Sequence, residues 1–435
     1  MSLALTGILG IIILLAVLFF LGTPVGFAMA IVGFAGFCHV VSFKAGLYMA
    51  GSELWSTFSK YGLTVIPLFI FMGQLSFYSG VNEKLYNAAY MWVGRIRGGI
   101  AMATIFACAA FAAICGSNAA TAATMTTVAL PQMKKFKYNP KLSTGAIACG
   151  STLGVVIPPS VVLIVIGLST EQSIAKLFYG GIGAGILLTL FLLGTVFIIC
   201  KQHPDWGPVG PSSSLREKLK SLSGAFEMVV LFLMMMAGLY FGFFTPTEAG
   251  AAGSMLALLI TIIQKRLSIK GFTAAVTDTL QISCMVIMII AGALIFGRFL
   301  AVTRIPFDIA QWVIALPIPN WGIMGVIFLI YVIGGAIMDA LALLLITLPI
   351  FFPVARELGY DPIWFGVSIT VITTLGAVTP PVGATTYVVG GMAKDIPLEK
   401  VFRGVTYFLP AYILCIIILM LFPEIITWLP NYVRY

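Results

Sequence analysis

Two short stretches decide how this chain must fold. Residues 150–160 read "GSTLGVVIPPS", and residues 372–382 read "ITTLGAVTPPV". Both contain the pattern T-L-G-x-V-x-P-P inside an apolar run. Proline lacks a backbone donor and clashes with the carbonyl one turn back, so a Pro-Pro pair ends or unwinds a helix. Each stretch therefore predicts a break in an apolar helix, and the break occurs once in each half of the chain.

The composition indicates what surrounds these breaks. Of the 435 residues, 60% are hydrophobic and only 9% are charged, and the mean hydropathy is +1.08. Apolar runs of about 20 residues, the length that a helix needs to cross the bilayer core, recur along the whole chain. The alternating pattern of a membrane barrel is absent. The sequence therefore predicts an all-α polytopic membrane protein, whose first apolar run is a retained helix rather than a signal peptide.

Several function classes are disfavoured by the charged and metal-binding residues. The formal net charge of +9 does not indicate nucleic-acid binding, because Lys and Arg of membrane proteins concentrate in cytoplasmic loops. The seven cysteines occur singly and there are two histidines, so neither a disulfide framework nor a zinc site is predicted. The pattern GxxxxGK[ST] does not occur, so energy for transport would come from an ion gradient or another subunit.

The chain repeats itself, because residues of the first half match residues 222 positions later in the second half. We call this constant offset the repeat shift. It places Thr23-Pro24 on Thr245-Pro246 and Pro131 on Pro353. Between residues 138 and 159, nine of 22 positions are identical to their shifted counterparts, where about one in ten would be expected for this composition. One shift that holds over this distance predicts an internal duplication.

Each half predicts the same succession of elements. The predicted helices cover about 3–21, 24–42, 62–80 and 174–200 in the first half, and about 224–243, 246–264, 281–302 and 404–422 in the second. The predicted apolar hairpins cover about 98–133 and 320–354, the broken helices about 141–168 and 362–390, and the amphipathic stretches 81–95 and 304–315. We therefore divide the chain into a first repeat, a Pro- and Ser-rich cytoplasmic linker and a second repeat, at 1–200, 201–223 and 224–435.

The number of membrane crossings predicts how the two repeats are related. If both hairpins are re-entrant, each half crosses the membrane about five times, and an odd number inserts the second half upside down. Placing the linker in the cytoplasm puts 17 of the 24 Lys and Arg residues on the inner side, as membrane proteins prefer. This arrangement predicts two inverted repeats and places both termini outside.

The helix breaks offer backbone groups for binding. In hydrocarbon an unpaired amide or carbonyl costs several kcal/mol, so such breaks persist only where they are buried in protein or line a wet cavity. An unwound strip offers carbonyl oxygens to a cation, and half-helix N-termini offer amides to an anion. A packing kink is the alternative. The two strips should meet near the midplane, and they include Thr152, Gly154, Thr374, Gly376 and Thr379.

The hairpin breaks supply polar side chains. Ser117, Asn118, Thr121 and Thr124 follow the first break, although Ser and Thr also serve as ordinary helix contacts in membranes. Asp339 occupies the position equivalent to Ser117 in the second hairpin. A carboxylate at the bilayer centre costs at least about 2.5–3.5 kcal/mol. A bound cation would offset this cost, and a bound proton is the rival explanation. The third explanation is purely structural, namely a lone acid buried against a helix terminus.

Three further charged residues are weaker candidates for binding an ion or a substrate. Glu227 and Glu248 lie near predicted helix ends, where solvent or headgroups reach them. Arg298 lies toward the outer end of its helix, where it would either snorkel to the interface or hold an anionic substrate.

Taken together, the inverted repeats, the two hairpins, the polar "GSNAAT" tip and the paired "TLGxVxPP" breaks resemble the large membrane subunit of the tripartite ATP-independent periplasmic (TRAP) transporters. The resemblance covers essentially the whole chain. It implies sodium-driven uptake of an organic acid, a C4-dicarboxylate or, by a slight preference on overall likeness, sialic acid. It implies an elevator-type motion in the bacterial inner membrane. It also implies two partners, a small four-helix membrane subunit on a separate chain and a periplasmic substrate-binding protein.

The resemblance also implies about two Na⁺ sites and one substrate site. The first Na⁺ site would involve Ser117, Asn118 and Gly154, and the second Asp339, Thr374, Gly376 and Thr379. The substrate would lie between the hairpin tips and contact residues from both halves. The expected substrate contacts are Asn118, Thr152, Pro158, Thr379, Pro380 and Arg298. The second hairpin lacks the Ser-Asn pair of the first, so equal chemistry at the two Na⁺ sites is not expected.

Other functions are disfavoured by what the sequence lacks. A channel would need a continuous polar stripe or a charged ring, and only isolated polar tips are present. An enzyme would need a nucleophile with a base or a metal cluster, and no acid pairs with either histidine in the sequence. Among transporters, the alternative is a stand-alone sodium/dicarboxylate symporter that needs no binding protein.

Overall fold

The computed structural model describes residues 3–210, 214–314 and 317–432. Within those residues the chain forms 22 α-helices and two short 3-10 helices, and no strand. Ten helical segments of the described chain are long and apolar enough to cross a membrane. The all-α polytopic fold is therefore confirmed. Arg434, which the prediction placed outside, lies beyond the described residues.

The first half contains eleven α-helices. They are α1 (Leu3–Leu21), α2 (Val25–Val40), α3 (Phe43–Phe58), α4 (Val65–Tyr78), α5 (Val81–Val93), α6 (Gly99–Cys115), α7 (Asn118–Lys135), α8 (Pro140–Ser151), α9 (Leu153–Val156), α10 (Val161–Thr170) and α11 (Ile174–Gln202). A 3-10 turn, Tyr61–Thr64, leads into α4, and another, Pro204–Trp206, follows α11.

The second half also contains eleven α-helices. They are α12 (Leu215–Tyr240), α13 (Pro246–Ile263), α14 (Ile269–Val302), α15 (Ile305–Ile314), α16 (Asn320–Ile337), α17 (Ala340–Glu357), α18 (Pro362–Val378), α19 (Ala384–Met392), α20 (Leu398–Thr406), α21 (Leu409–Leu421) and α22 (Glu424–Asn431).

Helix boundaries follow the repeat shift closely around the hairpins. The shift places both ends of α7 on the ends of α17, and it places α6 on α16 to within one residue. The caps correspond too, because Asn139 caps α8 and Asp361 caps α18 through their side chains. The same N-cap chemistry at equivalent positions fixes where each helix begins.

The two halves differ in the helices that precede the hairpins. The first half has a separate helix α3, which the sequence did not predict, followed by α4, whereas the second half has one long helix, α14, in the equivalent region. Ser42 caps α3 through its side chain and so starts a new helix after α2. Helix α14 also begins earlier than predicted, because Ser268 caps it.

The predicted linker and the predicted last helix also differ from the structure. Helix α12 begins at Leu215, inside the stretch assigned to the linker, because Ser214 and Glu217 form a capping box. The last predicted helix is divided into α20 and α21, and Pro410 lies in the first turn of α21. Proline is tolerated there but disrupts a helix interior.

Burial separates central helices from peripheral ones. Every residue of α18 except its first is buried, whereas in α1 only Gly7, Gly10 and Leu14 are buried. Helix α18 packs against α16, α11 and α21, and α8 packs against α20 and both hairpin helices of the first half. The other walls of the molecule come from α2 packed on α14 and α4 packed on α13. The hairpins and broken helices therefore form the centre of the fold.

Candidate functional site

The helix breaks predicted at the two Pro-Pro pairs are present. Residues 157–160 separate α9 from α10, and residues 379–383 separate α18 from α19. The Pro158-Pro159 and Pro380-Pro381 peptide bonds are both cis. The first broken helix has an additional interruption at Thr152, which the second lacks. The two breaks are thus equivalent in position but not identical in shape.

The tip of the first hairpin lies against the first break. Gly116 ends α6 with a φ of +63°, a conformation that glycine adopts readily. A Cβ on Gly116 would lie 2.7 Å from the carbonyl oxygen of Pro159. Ser117 caps α7, and its Oγ accepts a hydrogen bond from Ala120 N at 3.4 Å. Tip 1, residues 116–118, is therefore fixed by the backbone of the broken helix.

The tip of the second hairpin is hydrogen-bonded to the second break. Asp339 caps α17, and its Oδ1 accepts a hydrogen bond from Leu341 N at 2.9 Å. The carbonyl of Ala336 accepts hydrogen bonds from Val382 N at 3.0 Å and Gly383 N at 3.3 Å. These hydrogen bonds tie the end of α16, just before tip 2 (residues 338–340), to its own broken helix.

The glycine of the T-L-G pattern permits both contacts. A Cβ on Gly154 would lie 2.7 Å from the carbonyl oxygen of Ser117. A Cβ on Gly376 would lie 2.5 Å from the carbonyl carbon of Gly335. Real Cβ atoms do not approach backbone this closely, so any larger residue would push the tip away. The predicted glycines thus position the tips.

Both tips line one cavity of about 210 Å³, which we call the tip cavity. Ser117, Asn118 and Asp339 line it together with Val155 of the first broken helix. The wall also includes residues of α10, α18 and α19 and of two helices outside the hairpins and broken helices, α4 and α14. The structure therefore brings together polar residues of two hairpins that lie in different halves of the sequence.

The polar atoms of the tip cavity suit both a cation and an anion. Asn118 Oδ1 is buried and has no hydrogen-bond partner in the part of the chain that the structure describes, and Asp339 adds a carboxylate. Such oxygens are the ligands that hard cations prefer. The first residues of α7 and α17 also line the cavity, and helix N-termini attract anions. In α17 the Asp339 carboxylate already interacts with the partial positive charge of the helix N-terminus. In α7 the neutral Ser117 leaves that partial charge available to a ligand.

The threonines of the broken helices lie behind the cavity wall. The hydroxyl of Thr374 donates to Val371 O and that of Thr379 to Leu375 O, each at 2.5 Å. Thr152 is buried, and its hydroxyl lies 2.6 Å from Tyr412 OH. None of these three is among the residues that line the tip cavity. Thr374 and Thr379 keep free lone pairs, whereas Thr152 is engaged with α21.

Three other predicted substrate contacts lie elsewhere. Pro158 is buried, and its ring faces Gly181 of α11. Pro380 is exposed and does not line the tip cavity. Arg298 Nε donates to Glu53 Oε1 at 2.6 Å, which joins α14 to α3. Of the predicted substrate contacts, the structure therefore places Asn118 alone in the wall of the tip cavity.

The remaining polar candidates serve helix structure. Thr121 donates to Ser117 O at 2.7 Å, and Thr124 donates to Ala120 O at 2.8 Å. Glu227 accepts hydrogen bonds from Gln264 and from Arg266 Nη1, the latter at 3.0 Å. Glu248 forms a capping box with Thr245 at the start of α13.

Sequence reasoning missed two polar residues of the tip cavity. Gln74 of α4 and Thr385 of α19 both line it and are largely buried. Gln74 could have been noticed as the single amide side chain within the apolar sequence of α4. The repeat did not point to it, because the repeat shift places Gln74 on Phe296.

Comparison with known proteins agrees with the resemblance seen in the sequence. A C4-dicarboxylate TRAP transporter large permease of Pseudomonas aeruginosa is 34% identical over 381 residues, which cover 87% of this chain and 88% of that protein. The sialic acid TRAP transporter large permease SiaM of Vibrio cholerae is 30% identical over 95% of this chain and 96% of its own.

A solved structure shares the fold. The YdaH transporter of Alcanivorax borkumensis superposes with a TM-score of 0.64 at 15% identity, covering 87% of this chain and 89% of its own. This likeness concerns the fold alone. The family match, by contrast, spans residues 12–425 and is described as "Tripartite ATP-independent periplasmic transporter, DctM component". The chain is therefore a multi-pass transport protein of the inner membrane and belongs to this family of TRAP transporter large membrane subunits.

Proposed function

We propose that this chain takes up an organic acid by secondary transport, driven by sodium and supplied by a periplasmic binding protein. The observation that supports this most is the tip cavity, where Ser117 and Asn118 of one hairpin meet Asp339 of the other. One small cavity contains a helix N-terminus that is capped by a neutral residue, which suits an anion, and a carboxylate, which suits a cation. The two ligands could therefore bind side by side. The partners are the binding protein and a small four-helix membrane subunit.

The coupling ion follows from the oxygen ligands. Sodium would bind near Asn118 and the Gly154 strip, and near Asp339 with the Thr374–Thr379 strip, which gives about two sites. Moving one charge across 100 mV is worth about 2.3 kcal/mol, so two ions would support substantial accumulation. A proton on Asp339 is the competing proposal, and it predicts uptake that depends on pH rather than on sodium.

The motion is proposed to be of the elevator type. Each hairpin tip is packed against its own broken helix through Gly154 or Gly376, so a tip and its break should move as one unit. Helices α1, α2, α12 and α13 would form the scaffold, in two inverted repeats with both termini outside.

The substrate class is proposed from the relatives. The named substrates of similar proteins are C4-dicarboxylates, sialic acid and, in a permease of Oleidesulfovibrio alaskensis that is 33% identical over 341 residues, isethionate. All three are organic anions, and the N-terminus of α7 suits a carboxylate or sulfonate oxygen. We therefore propose an organic anion, with sialic acid and C4-dicarboxylates as the first substrates to test.

Reconstituted uptake tests this proposal. The chain and its small membrane subunit are placed in proteoliposomes, and accumulation of each labelled acid is measured with and without a sodium gradient and with and without the binding protein. We expect accumulation only when sodium and the binding protein are both present. Sodium-driven uptake without the binding protein would support the stand-alone symporter, and accumulation without any sodium gradient would refute sodium coupling.

A further inference from the structure

A second cavity lies along the same pair of helices as the tip cavity. Its volume is about 420 Å³, and it is lined by α14, α17 and the C-terminal end of α10. Helix α14 contributes Val286 to the tip cavity and Ile290 to the second cavity, and α17 contributes Leu341 and Leu345 in the same way. Four residues of α-helix rise about 6 Å, so one turn of each helix separates the two cavities.

The charged groups of the second cavity favour a cation over an anion. Arg298 lines it, but its guanidinium is paired with Glu53, whose side chain is only 12% exposed. Glu171 also lines it and, within the described part of the chain, its carboxylate has no hydrogen-bond or ion-pair partner. Glu53 does not line the cavity, but it neutralises Arg298, so the unpaired carboxylate of Glu171 leaves a net negative charge there. An anion would therefore meet repulsion from Glu171, whereas a cation would be attracted.

Backbone oxygens add to this preference. Pro349 and Pro353 interrupt the hydrogen bonding of α17, because proline has no N–H to donate to the carbonyl four residues earlier. The carbonyls that lose this donor belong to Leu345 and Pro349, and both residues line the cavity. The C-terminal end of α10 presents the negative end of its helix dipole to the same space.

The equivalent region of the other repeat lacks the two charged residues and one of the two prolines, although Pro131 stands at the position equivalent to Pro353. The repeat shift aligns Glu171 with Ala393, Arg298 with Ser76 and Pro349 with Thr127. Ala393 and Ser76 are almost completely buried, at 1% and 0% exposure. Among the described residues, the charged pair Glu171 and Arg298 therefore has no counterpart at the equivalent positions of the other repeat, and the shared fold does not explain this difference.

We propose that the second cavity is a cation antechamber, which holds a monovalent cation weakly before it reaches Asp339. This proposal rests on the proposed function for the identity of the cation, sodium, and for the outward position of the cavity. It assigns Glu171 as the attracting group and gives Arg298 the role of balancing Glu53 rather than holding the substrate.

Thiol labelling tests the charge preference without any transport measurement. Ser169, an exposed residue of the cavity wall, is replaced by cysteine in a variant whose exposed Cys284 is serine. A cationic and an anionic methanethiosulfonate of similar size are compared in proteoliposomes, and Ser59→Cys, which lies outside the cavity, provides the reference ratio. We expect the cationic reagent to be favoured at residue 169, by about threefold for each unit of reagent charge, and Glu171→Gln to remove most of this preference.

Sodium activation of uptake provides the second measurement. We expect Glu171→Gln to raise the half-saturating sodium concentration by about threefold and Arg298→Gln to lower it by a similar factor. The double variant Glu53→Gln/Arg298→Gln, which restores the original net charge, should return to the wild-type value. The substrate KM should not change in any of them.

The two measurements separate this proposal from the proposed function. Equal reagent ratios at residues 169 and 59, or a raised substrate KM in Arg298→Gln, would overturn the antechamber and indicate lipid contact or an anion site. A cation preference in labelling together with uptake that ignores sodium would instead support the antechamber and overturn sodium coupling.

Discussion

The two hairpin tips cap their following helices in the same way and differ in charge. Ser117 and Asp339 occupy equivalent positions, and each caps the second helix of its hairpin. A helix N-terminus carries the equivalent of about half a positive charge. In tip 2 the Asp339 carboxylate interacts with that charge, whereas in tip 1 the Ser117 hydroxyl leaves it available to a ligand. The duplication thus supplied the same helix-capping position twice, and the change between Ser117 and Asp339 gave the two tips different charges.

The strongest test of this difference removes the charge of tip 2. In Asp339→Asn the side chain keeps its size and can still cap α17, but it no longer offsets a bound cation. We expect sodium-driven uptake in proteoliposomes to fall by about 100-fold or more, as for a bound cation that loses about 3 kcal/mol of pairing with its carboxylate. The melting temperature should stay close to that of the wild type.

Asp395→Asn is the matched control for this variant. Asp395 pairs with Lys134 at 2.6 Å, and both side chains are largely exposed. The hydrogen bond from Lys134 holds the pKa of the Asp395 carboxyl below its usual range, so the group is ionised at neutral pH. We expect its uptake to be unchanged. Normal sodium-driven uptake by Asp339→Asn would remove Asp339 from the site.

Making the tips alike tests the same difference from the other side. Ser117→Asp would place a second carboxylate in a cavity of about 210 Å³. We expect it to raise the KM for an anionic substrate by about 10- to 100-fold, because like charges a few ångströms apart repel strongly where water is limited. Ser117→Asn, which caps the helix but carries no charge, should keep the KM within about threefold. An unchanged KM in Ser117→Asp would show that the anion does not bind at tip 1.

The glycine contacts are common to both tips and should respond alike. Alanine at Gly154 or Gly376 would bring a Cβ to 2.7 Å or 2.5 Å from hairpin backbone. Overpacking of this kind costs about 1–3 kcal/mol, so we expect a lower melting temperature and roughly tenfold slower uptake in both variants. Gly194→Ala in α11, where the new methyl meets no atom within 4 Å, is the control. An effect at one glycine alone would show that only one tip is held by its break.

How far the sequence predicts this molecule depends on the repeat. The hairpins, breaks and caps were predictable, because proline, glycine and capping residues act locally and recur at one shift. Helix α3 was missed because its equivalent in the second half lies within the continuous helix α14, so the repeat did not mark it. The sequence "FKAGLYMAGSELWSTF" also contains Lys44 and Glu53, and its short mixed pattern did not match a membrane span.

The site shows a similar division. Ser117, Asn118 and Asp339 were predictable, since polar groups in an apolar run require a binding partner or an aqueous environment. The direction in which a broken-helix side chain points is set by packing, and local pattern does not contain that information. Thr152 and Thr374 are equivalent in sequence, yet a hydroxyl from the distant residue Tyr412 engages only the first. Arg298 likewise forms its ion pair with Glu53, which lies on a helix that was not predicted.

The comparison of these two threonines gives the smallest expected effects. Thr374→Val removes a hydroxyl that accepts no hydrogen bond from another side chain among the described residues. If it belongs to the second Na⁺ site, the half-saturating sodium concentration should rise about fivefold, as for one lost hydrogen bond of about 1 kcal/mol. Thr152→Val instead removes one of the two hydrogen-bond partners of the Tyr412 hydroxyl and leaves the carbonyl of Cys149 as the other. We expect it to lower the melting temperature by a few degrees, while sodium activation and substrate KM stay within about twofold of wild type. If both variants weakened sodium activation equally, the two breaks would be chemically equivalent cation sites. The contact between Thr152 and Tyr412 would then belong to one conformation and would not give the two threonines different roles.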